Sequence, residues 1–351
     1  MKKTMDMMKC LNSNKKIMEL FTRKEEYAPS FLDKHQRFPY QVSNHKNVFD
    51  PVVSKFLFEN GFEFCWPEEK KFALCLTHDI DNLYPSLKYR GFTSLKFASR
   101  LKLRSASSRF FKKDNPYRNF EDIIKLEDKY KAISSFYIMS DGSNYNVDVL
   151  KNELGYLIDA GREIGLHGGY HAYNDIHKIK QQKEKLENIV SREVIGYRNH
   201  YLRFKVPDTW ELLSNAGFKY DTTLGYPNTV GFRNGMCYPF KPFNLTDNKE
   251  INIFEIPLIL MDRALFKHMK LSENDSWQLC KNLINTVEDL GGVLTIIWHN
   301  DSFDGIYYKG WGKLYKKILE YCYEKNAWMT SANEIWEWWV KKNGYKRIKK
   351  F

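Results

Sequence analysis

The chain has 351 residues, 55 of them basic and 43 acidic, for a formal net charge of +12, with 43% hydrophobic and 16% aromatic side chains. That much apolar surface excludes a disordered or low-complexity chain. No apolar run approaches the roughly 20 residues of a membrane-spanning helix, which excludes a helical membrane protein.

The basic start, MKKTMDMMKCLNSNKK, lacks the apolar core and cleavage site of a secretory signal. Residues 1–70 follow no regular rhythm and read as an N-terminal extension. From Lys71 onward, short apolar runs alternate with amphipathic stretches. Strands are expected at Phe72–Thr77, Ser134–Ile138, Glu163–His167, Val194–Tyr197, Ile253–Pro257 and Val293–Trp298. Helices are expected at Glu121–Lys131, Asp148–Ala160, Asp175–Ser191, Pro207–Ala216, Asp275–Leu290 and Trp311–Lys325, two of them stopped by Gly161 and Gly217. This alternation predicts an α/β fold with a parallel sheet, open or closed into a barrel, over residues 71–340. Six scattered cysteines without a CxxC pair read as reduced thiols, so the expectation is a soluble cytoplasmic protein.

In parallel α/β folds, chemistry gathers at the carboxyl ends of the strands. Here four such ends carry His78-Asp79-Ile80-Asp81, His167-Gly168-Gly169-Tyr170-His171, Arg198-Asn199-His200-Tyr201 and His299-Asn300-Asp301. Two histidines four apart can meet one metal ion, and a carboxylate from another strand end would complete a His, His, Asp set with a position open for water. Asp79 and Asp81, two apart at a strand end, share a side. Both stay ionised cheaply only if cations neutralise them, a metal at one and a guanidinium such as Arg198 at the other. The free carboxylate could then act as general base, with His299 as general acid. Each residue taken singly has a plainer reading, as a helix cap or a packed strand-end side chain.

These stretches resemble the motifs of the NodB-type polysaccharide deacetylases, carbohydrate esterase family four, in that family's order and over about residues 71–340. The resemblance implies a distorted (β/α) barrel and metal-dependent removal of an acetyl group from an N-acetylated sugar, here from a bacterial surface polysaccharide or its precursor. It implies Asp79 as base, with Asp81, His167 and His171 as ligands to a divalent metal, zinc first and cobalt or nickel as alternatives. Arg198 would orient Asp79, the Tyr201 amide would stabilise the oxyanion, His299 would protonate the leaving amine, and Asp221 would tune His299. Asp-x-Asp in place of the adjacent acidic pair is similar to a branch that includes allantoinase-like cyclic amidases. His200 stands where the third motif has proline and is expected to face substrate, as are Tyr170 and Trp298. The stretches Phe21–Tyr27, Tyr220–Tyr226 and Gly231-Phe232-Arg233 resemble a subgroup associated with surface-polysaccharide gene sets. Hydrolysis of a cyclic or other amide, and glycan binding without catalysis, are the alternatives.

Charge is concentrated in two places. Residues 82–118 carry ten basic side chains and one acid, and residues 341–351 carry six basic side chains and no acid. The first segment follows a strand directly and is expected to overhang the site as a basic insertion, with Lys96, Arg100 and Arg104 forming one stripe. An anionic carbohydrate substrate, nucleotide-linked or lipid-linked, is therefore expected. The tail, with Trp338 and Trp339 before its lysines, suggests peripheral contact with the inner face of a membrane. No zinc-finger, RNA-recognition or helix-turn-helix pattern is present, so nucleic acid is not an expected partner.

Overall fold

Eight consecutive buried residues, Ala73–Ile80, form strand β1, flanked on both edges by other strands and covered on both faces. The computed structural model describes residues 7–98, 115–141, 145–306, 308–341 and 346–347. The strands that follow are β2 (Ser135–Ile138), β3 (Glu163–Gly168), β4 (Gly196–Asn199), β5 (Tyr220–Asp221), β6 (Phe254–Glu255), β7 (Leu258–Met261), β8 (Val293–Ile297) and β9 (Trp328–Thr330). Their spatial order is β7-β8-β1-β2-β3-β4-β5-β6, every pairing parallel, with β9 beside the first half of β1. This is a curled, distorted (β/α) barrel, as expected. Its two outer strands, β6 and β7, are consecutive in the chain and are not paired with each other among the described residues.

The helices among the described residues are α1 (Met7–Asn12), α2 (Lys15–Phe21), α3 (Val52–Glu59), α4 (Leu87–Ala98), α5 (Phe120–Asp128), α6 (Lys151–Asp159), α7 (Ile176–Val190), α8 (Asp208–Asn215), α9 (Glu273–Leu290), α10 (Trp311–Glu324) and α11 (Ala332–Lys341). Helix α7 starts on Asp175, whose carboxylate accepts the amides of His177 and Lys178. Helix α9 starts on Ser272 and stops on Gly291 at φ 63°. Among the described residues, no helix is long and apolar enough to cross a membrane.

The N-terminal residues are built into this body. Leu11, Phe21, Val53 and Leu57 belong to the same hydrophobic core as the sheet. The three stretches singled out for their subgroup resemblance meet at one buried ion cluster. Glu26 accepts from Arg23 Nε at 2.6 Å and from Arg233 Nε at 3.0 Å, while Arg23 donates to the Tyr226 hydroxyl at 3.0 Å and to the Arg233 carbonyl at 2.7 Å. Burial pushes the Glu26 carboxyl up, but the two guanidiniums outweigh it and hold it below its usual value. Gly231 closes this corner at φ 127°, where a Cβ would collide with the Val48 carbonyl. Replacing Glu26 with alanine would take from the buried Arg233 its carboxylate partner and leave Arg23 only Glu25, and the expected loss is about 3–5 kcal/mol in a denaturant titration. A loss below about 1 kcal/mol would show that the cluster relaxes into water.

Of the expected membrane-facing tail, Trp338, Trp339, Lys341 and residues 346–347 are described, while Lys342, Lys349 and Lys350 lie outside the described residues. Trp339 is buried and stacks on Phe64, and Trp338 donates its indole N–H to the Cys65 carbonyl at 2.7 Å. Lys346–Arg347 pair antiparallel with Phe62–Glu63. Of the proposed basic stripe, the Lys96 side chain, Arg100 and Arg104 lie outside the described residues.

Candidate active site

The upper edge of the sheet brings together the ends of β1, β3, β4, β7 and β8. Side chains alternate along β1, so Thr77 and Asp79 point one way with Asp81 just beyond, while His78 points the other. His78 is a core residue, bonded to the Trp298 carbonyl at 2.8 Å and to Glu127 at 2.8 Å. Strand β1 runs through Asp79 to Ile80, three residues past the expected end, which fixes Asp79 rigidly in the ladder.

Asp79 is almost fully buried, and the Arg198 guanidinium donates to it at 2.9 Å. Arg198, wholly buried in β4, is itself held by Thr77 Oγ1 at 2.6 Å and the Thr222 carbonyl at 3.2 Å, and lies 4.5 Å over the Tyr137 ring. The expected orienting contact between Arg198 and Asp79 is therefore present in the geometry.

Asp81, His167 and His200 converge beside this pair, their facing N and O atoms all within 4.8 Å of one another. His167 Nε2 lies 3.1 Å from Asp81 Oδ1 and 3.2 Å from His200 Nδ1, and His200 Nδ1 lies 3.3 Å from Asp81 Oδ1. The other nitrogen of His167 faces the Arg198 carbonyl at 3.1 Å. A carbonyl only accepts, so Nδ1 carries a proton and Nε2 is the atom that His167 turns to the cluster. One carboxylate and two imidazoles converging on one point are a donor set that a divalent cation satisfies, with the carbonyl as outer support. Burial pushes the Asp81 carboxyl up, but His200, His167 and His299 outweigh it and hold it well below the usual range.

His171, expected as a ligand, is not part of this cluster. A spacing of four superimposes two side chains only on a helix, and here strand β3 ends at Gly168 and runs into a turn. The Gly169 amide is tied to Gln182 at 2.9 Å, and its carbonyl accepts from Ala172, so Tyr170 and His171 are carried outward. His171 is exposed and lines a neighbouring cavity of about 560 Å³ with Tyr170, His35, Asp141 and Lys178. His200, expected to face substrate, takes the third position because it follows β4 immediately and β4 is the register neighbour of β3. At Gly168 a Cβ would run into the Tyr197 hydroxyl, so no side chain fits there.

His299 follows β8 and lies across the cavity, its Nε2 3.4 Å from Asp81. Its Nδ1 is 2.7 Å from Asp262 Oδ1, and its amide donates to Asp262 Oδ2 at 2.9 Å. Burial pulls the imidazolium down, but the Asp262 carboxylate outweighs it, so the ring is raised to about 9. Asp262 is held down to about 2, burial being outweighed by His299 and Arg263.

Asp221 does not tune His299. It lies on β5, next to β4, and is register-paired with Glu255 of β6, so the two carboxyls meet each other. Thr223 donates to Asp221 at 2.5 Å, and Trp210 donates to Glu255 at 2.8 Å. Burial drives both carboxyls upward, Asp221 to about 6 and Glu255 well above its usual value. Asp262 escaped the sequence reading because the strand before it, Leu258–Met261, was not recognised. Its signal was the one seen at the other ends, an apolar run (LILM) stopping at charged residues (Asp262-Arg263).

Trp298 is also corrected: it is fully buried, its ring 5.4 Å from Tyr315, and it lines neither cavity. Tyr170 stays at the surface of the second cavity, its hydroxyl 3.0 Å from His35 Nδ1 and its ring covered by Arg203 at 4.0 Å. Tyr201 has a left-handed backbone (φ 63°) in the short turn after β4, and its ring is 46% exposed between the two cavities. The cavity that contains Asp79, Asp81, His167, His200 and His299 is open and about 420 Å³.

Several solved structures share this fold. A putative polysaccharide deacetylase from Mycobacterium smegmatis matches with TM-score 0.56 and 19% identity over 82% of this chain and 97% of its own. The Puue allantoinase matches with TM-score 0.56 and 14% identity over 80% and 94%. A probable polysaccharide deacetylase from Pseudomonas aeruginosa PAO1 matches with TM-score 0.55 and 14% identity over 80% and 95%. No family model matches the chain, and neither does any curated protein. The chain thus has the distorted barrel of these structures, with a His-and-Asp cluster at its mouth.

Proposed function

We propose that this chain is a metal-dependent hydrolase that removes the acetyl group from an N-acetylated amino sugar, in a bacterial surface polysaccharide or its precursor. The observation that carries this reading is the single cavity in which an Asp79–Arg198 pair and a His299–Asp262 pair flank the Asp81, His167 and His200 cluster. Two of the structures sharing the fold are described as polysaccharide deacetylases, which supports the substrate class.

Asp81, His167 and His200 would hold a divalent cation, zinc first, which when bound polarises the amide carbonyl and makes a water acidic. Asp79, aimed by Arg198, accepts the proton of the attacking water. The hydroxyl oxygen adds to the acetyl carbon, and the Tyr201 amide donates to the oxygen on which charge develops. His299, aimed by Asp262, gives its proton to the sugar nitrogen as the C–N bond breaks, leaving acetate and a free amine. The exposed Tyr201 ring offers a stacking face for the sugar.

Zinc-loaded protein is expected to release acetate from an N-acetylated oligosaccharide, to stop when the metal is chelated, and to resume when it is restored. Asp79→Asn keeps all three ligands and is expected to hold its metal while losing turnover. Acetate release that persists after chelation would overturn the reading. The allantoinase neighbour supports a second one, hydrolysis of a cyclic amide. Turnover of allantoin, with none of N-acetyl sugars, would select it.

A further inference from the structure

One wall of the active cavity is cationic, and it is built by a local departure from α-helical geometry. After β7 and Asp262, the chain makes a π-helical turn over Ala264–His268, with the Met269 amide bonded to the Ala264 carbonyl at 2.9 Å. Closing the ring over five residues rather than four widens the turn. As a result Arg263, Lys267 and His268 all line the same cavity as the His-and-Asp cluster.

The charges on this wall are incompletely matched. Arg263 Nη2 is taken by Asp301, but Nη1 is buried with no hydrogen-bond partner among the described residues. Leaving a buried guanidinium N–H unmatched is costly, and a ligand oxygen would satisfy it. Lys267 makes no ion pair among the described residues; its ammonium lies 5.3 Å over the Tyr308 ring. The carboxylates nearest the wall are already committed, Asp262 to His299 and Asp301 to Arg263. Burial, and then Arg263, pull the Lys267 ammonium below its usual value, and a bound anion would relieve that stress.

We propose that this wall, Arg263 with Lys267 and the His268 ring, binds an oxyanion carried by the substrate, a phosphate or a carboxylate, beside the acetyl group that is cleaved. The inference rests on the hydrolase reading above and narrows its substrate to an anionic amino sugar. It stands on residues other than the basic segment 82–118. Guanidinium and ammonium groups together suit either oxyanion.

The test is calorimetric titration of the zinc-loaded wild type, Lys267→Met and Lys267→Arg with inorganic phosphate and, separately, with glucuronate, while acetate release is followed on the same samples. At least one anion is expected to bind the wild type, about tenfold more weakly after Lys267→Met, with affinity recovered by Lys267→Arg. Which anion binds identifies the substituent. Binding of neither anion, or binding unchanged by Lys267→Met because the anion sits on the metal, would overturn the proposal. Acetate release without such anion binding leaves the hydrolase standing and removes the wall. Anion binding sensitive to Lys267, without any acetate release, does the reverse.

Discussion

Replacing His200 with alanine is expected to strip the metal from the zinc-loaded protein and to abolish acetate release, whereas His171→Ala leaves both close to wild type. The asymmetry follows from distance. His200 Nδ1 lies within 3.3 Å of both Asp81 and His167, while His171 is exposed in the adjoining cavity. Losing an outer partner of a metal ligand already lowers affinity about 10–100-fold, so losing one of three protein ligands is expected to exceed that. Metal content after dialysis against a weak chelator measures the first effect, and acetate release measures the second. Thermal melting of the metal-free proteins separates loss of metal from loss of fold. Metal retained in His200→Ala and lost in His171→Ala would return the site to the H-x-x-x-H spacing.

The second large effect separates two buried acids. Asp262→Asn is expected to lower kcat by about 100-fold or more, within the span attributed to general acid–base groups. Its carboxylate accepts from His299 Nδ1 and holds that ring in the orientation that presents Nε2 to the cavity. Asp221→Asn is expected to leave kcat nearly unchanged and to alter the pH dependence of stability instead. Burial raises the Asp221 carboxyl from 3.8 to about 6, so the unfolded chain gives up this proton more readily than the folded one does. The stabilisation linked to that proton is full below about pH 4 and is lost as pH rises through about 6. Asp221→Asn removes the ionising group, so the variant's melting temperature should fall less between pH 5 and pH 8 than the wild type's does. An equal loss of kcat in both variants would place Asp221 back beside His299.

Much of this was readable along the chain because the information is local. Six strands and six helices fall close to where apolar runs, the Asp175 cap and the glycine stops place them. Each of these depends on a residue and its near neighbours: side-chain burial on a strand, a carboxylate over free amides, a backbone that only glycine tolerates. The pairing of Asp79 with Arg198 was also accessible, since two carboxylates on one side of a strand call for a cation.

The errors share a cause. His171 was expected beside His167 because residues four apart can meet on a helical turn or in a tight loop, but this turn carries His171 outward. The resemblance implied Asp221 beside His299, but the ring position of each strand decides which side chains can meet. Strand β7 lies beside β8, and β5 does not. Trp298 adjoins His299 in sequence but points into the core, because neighbours on an extended chain face opposite ways.

The sequence by itself determined an α/β fold with a parallel sheet and the chemical types at its strand ends: two aspartates, several histidines and an arginine. Those follow from periodicity and from strand polarity, which are written into short stretches of chain. Only the tertiary structure decided which of those groups share a cavity. It set His200 rather than His171 beside Asp81 and His167, set Asp262 rather than Asp221 beside His299, and turned Arg263 and Lys267 toward the same cavity. The reason is that contact across parallel strands depends on strand order and register, and these arise when the sheet assembles rather than from any single segment.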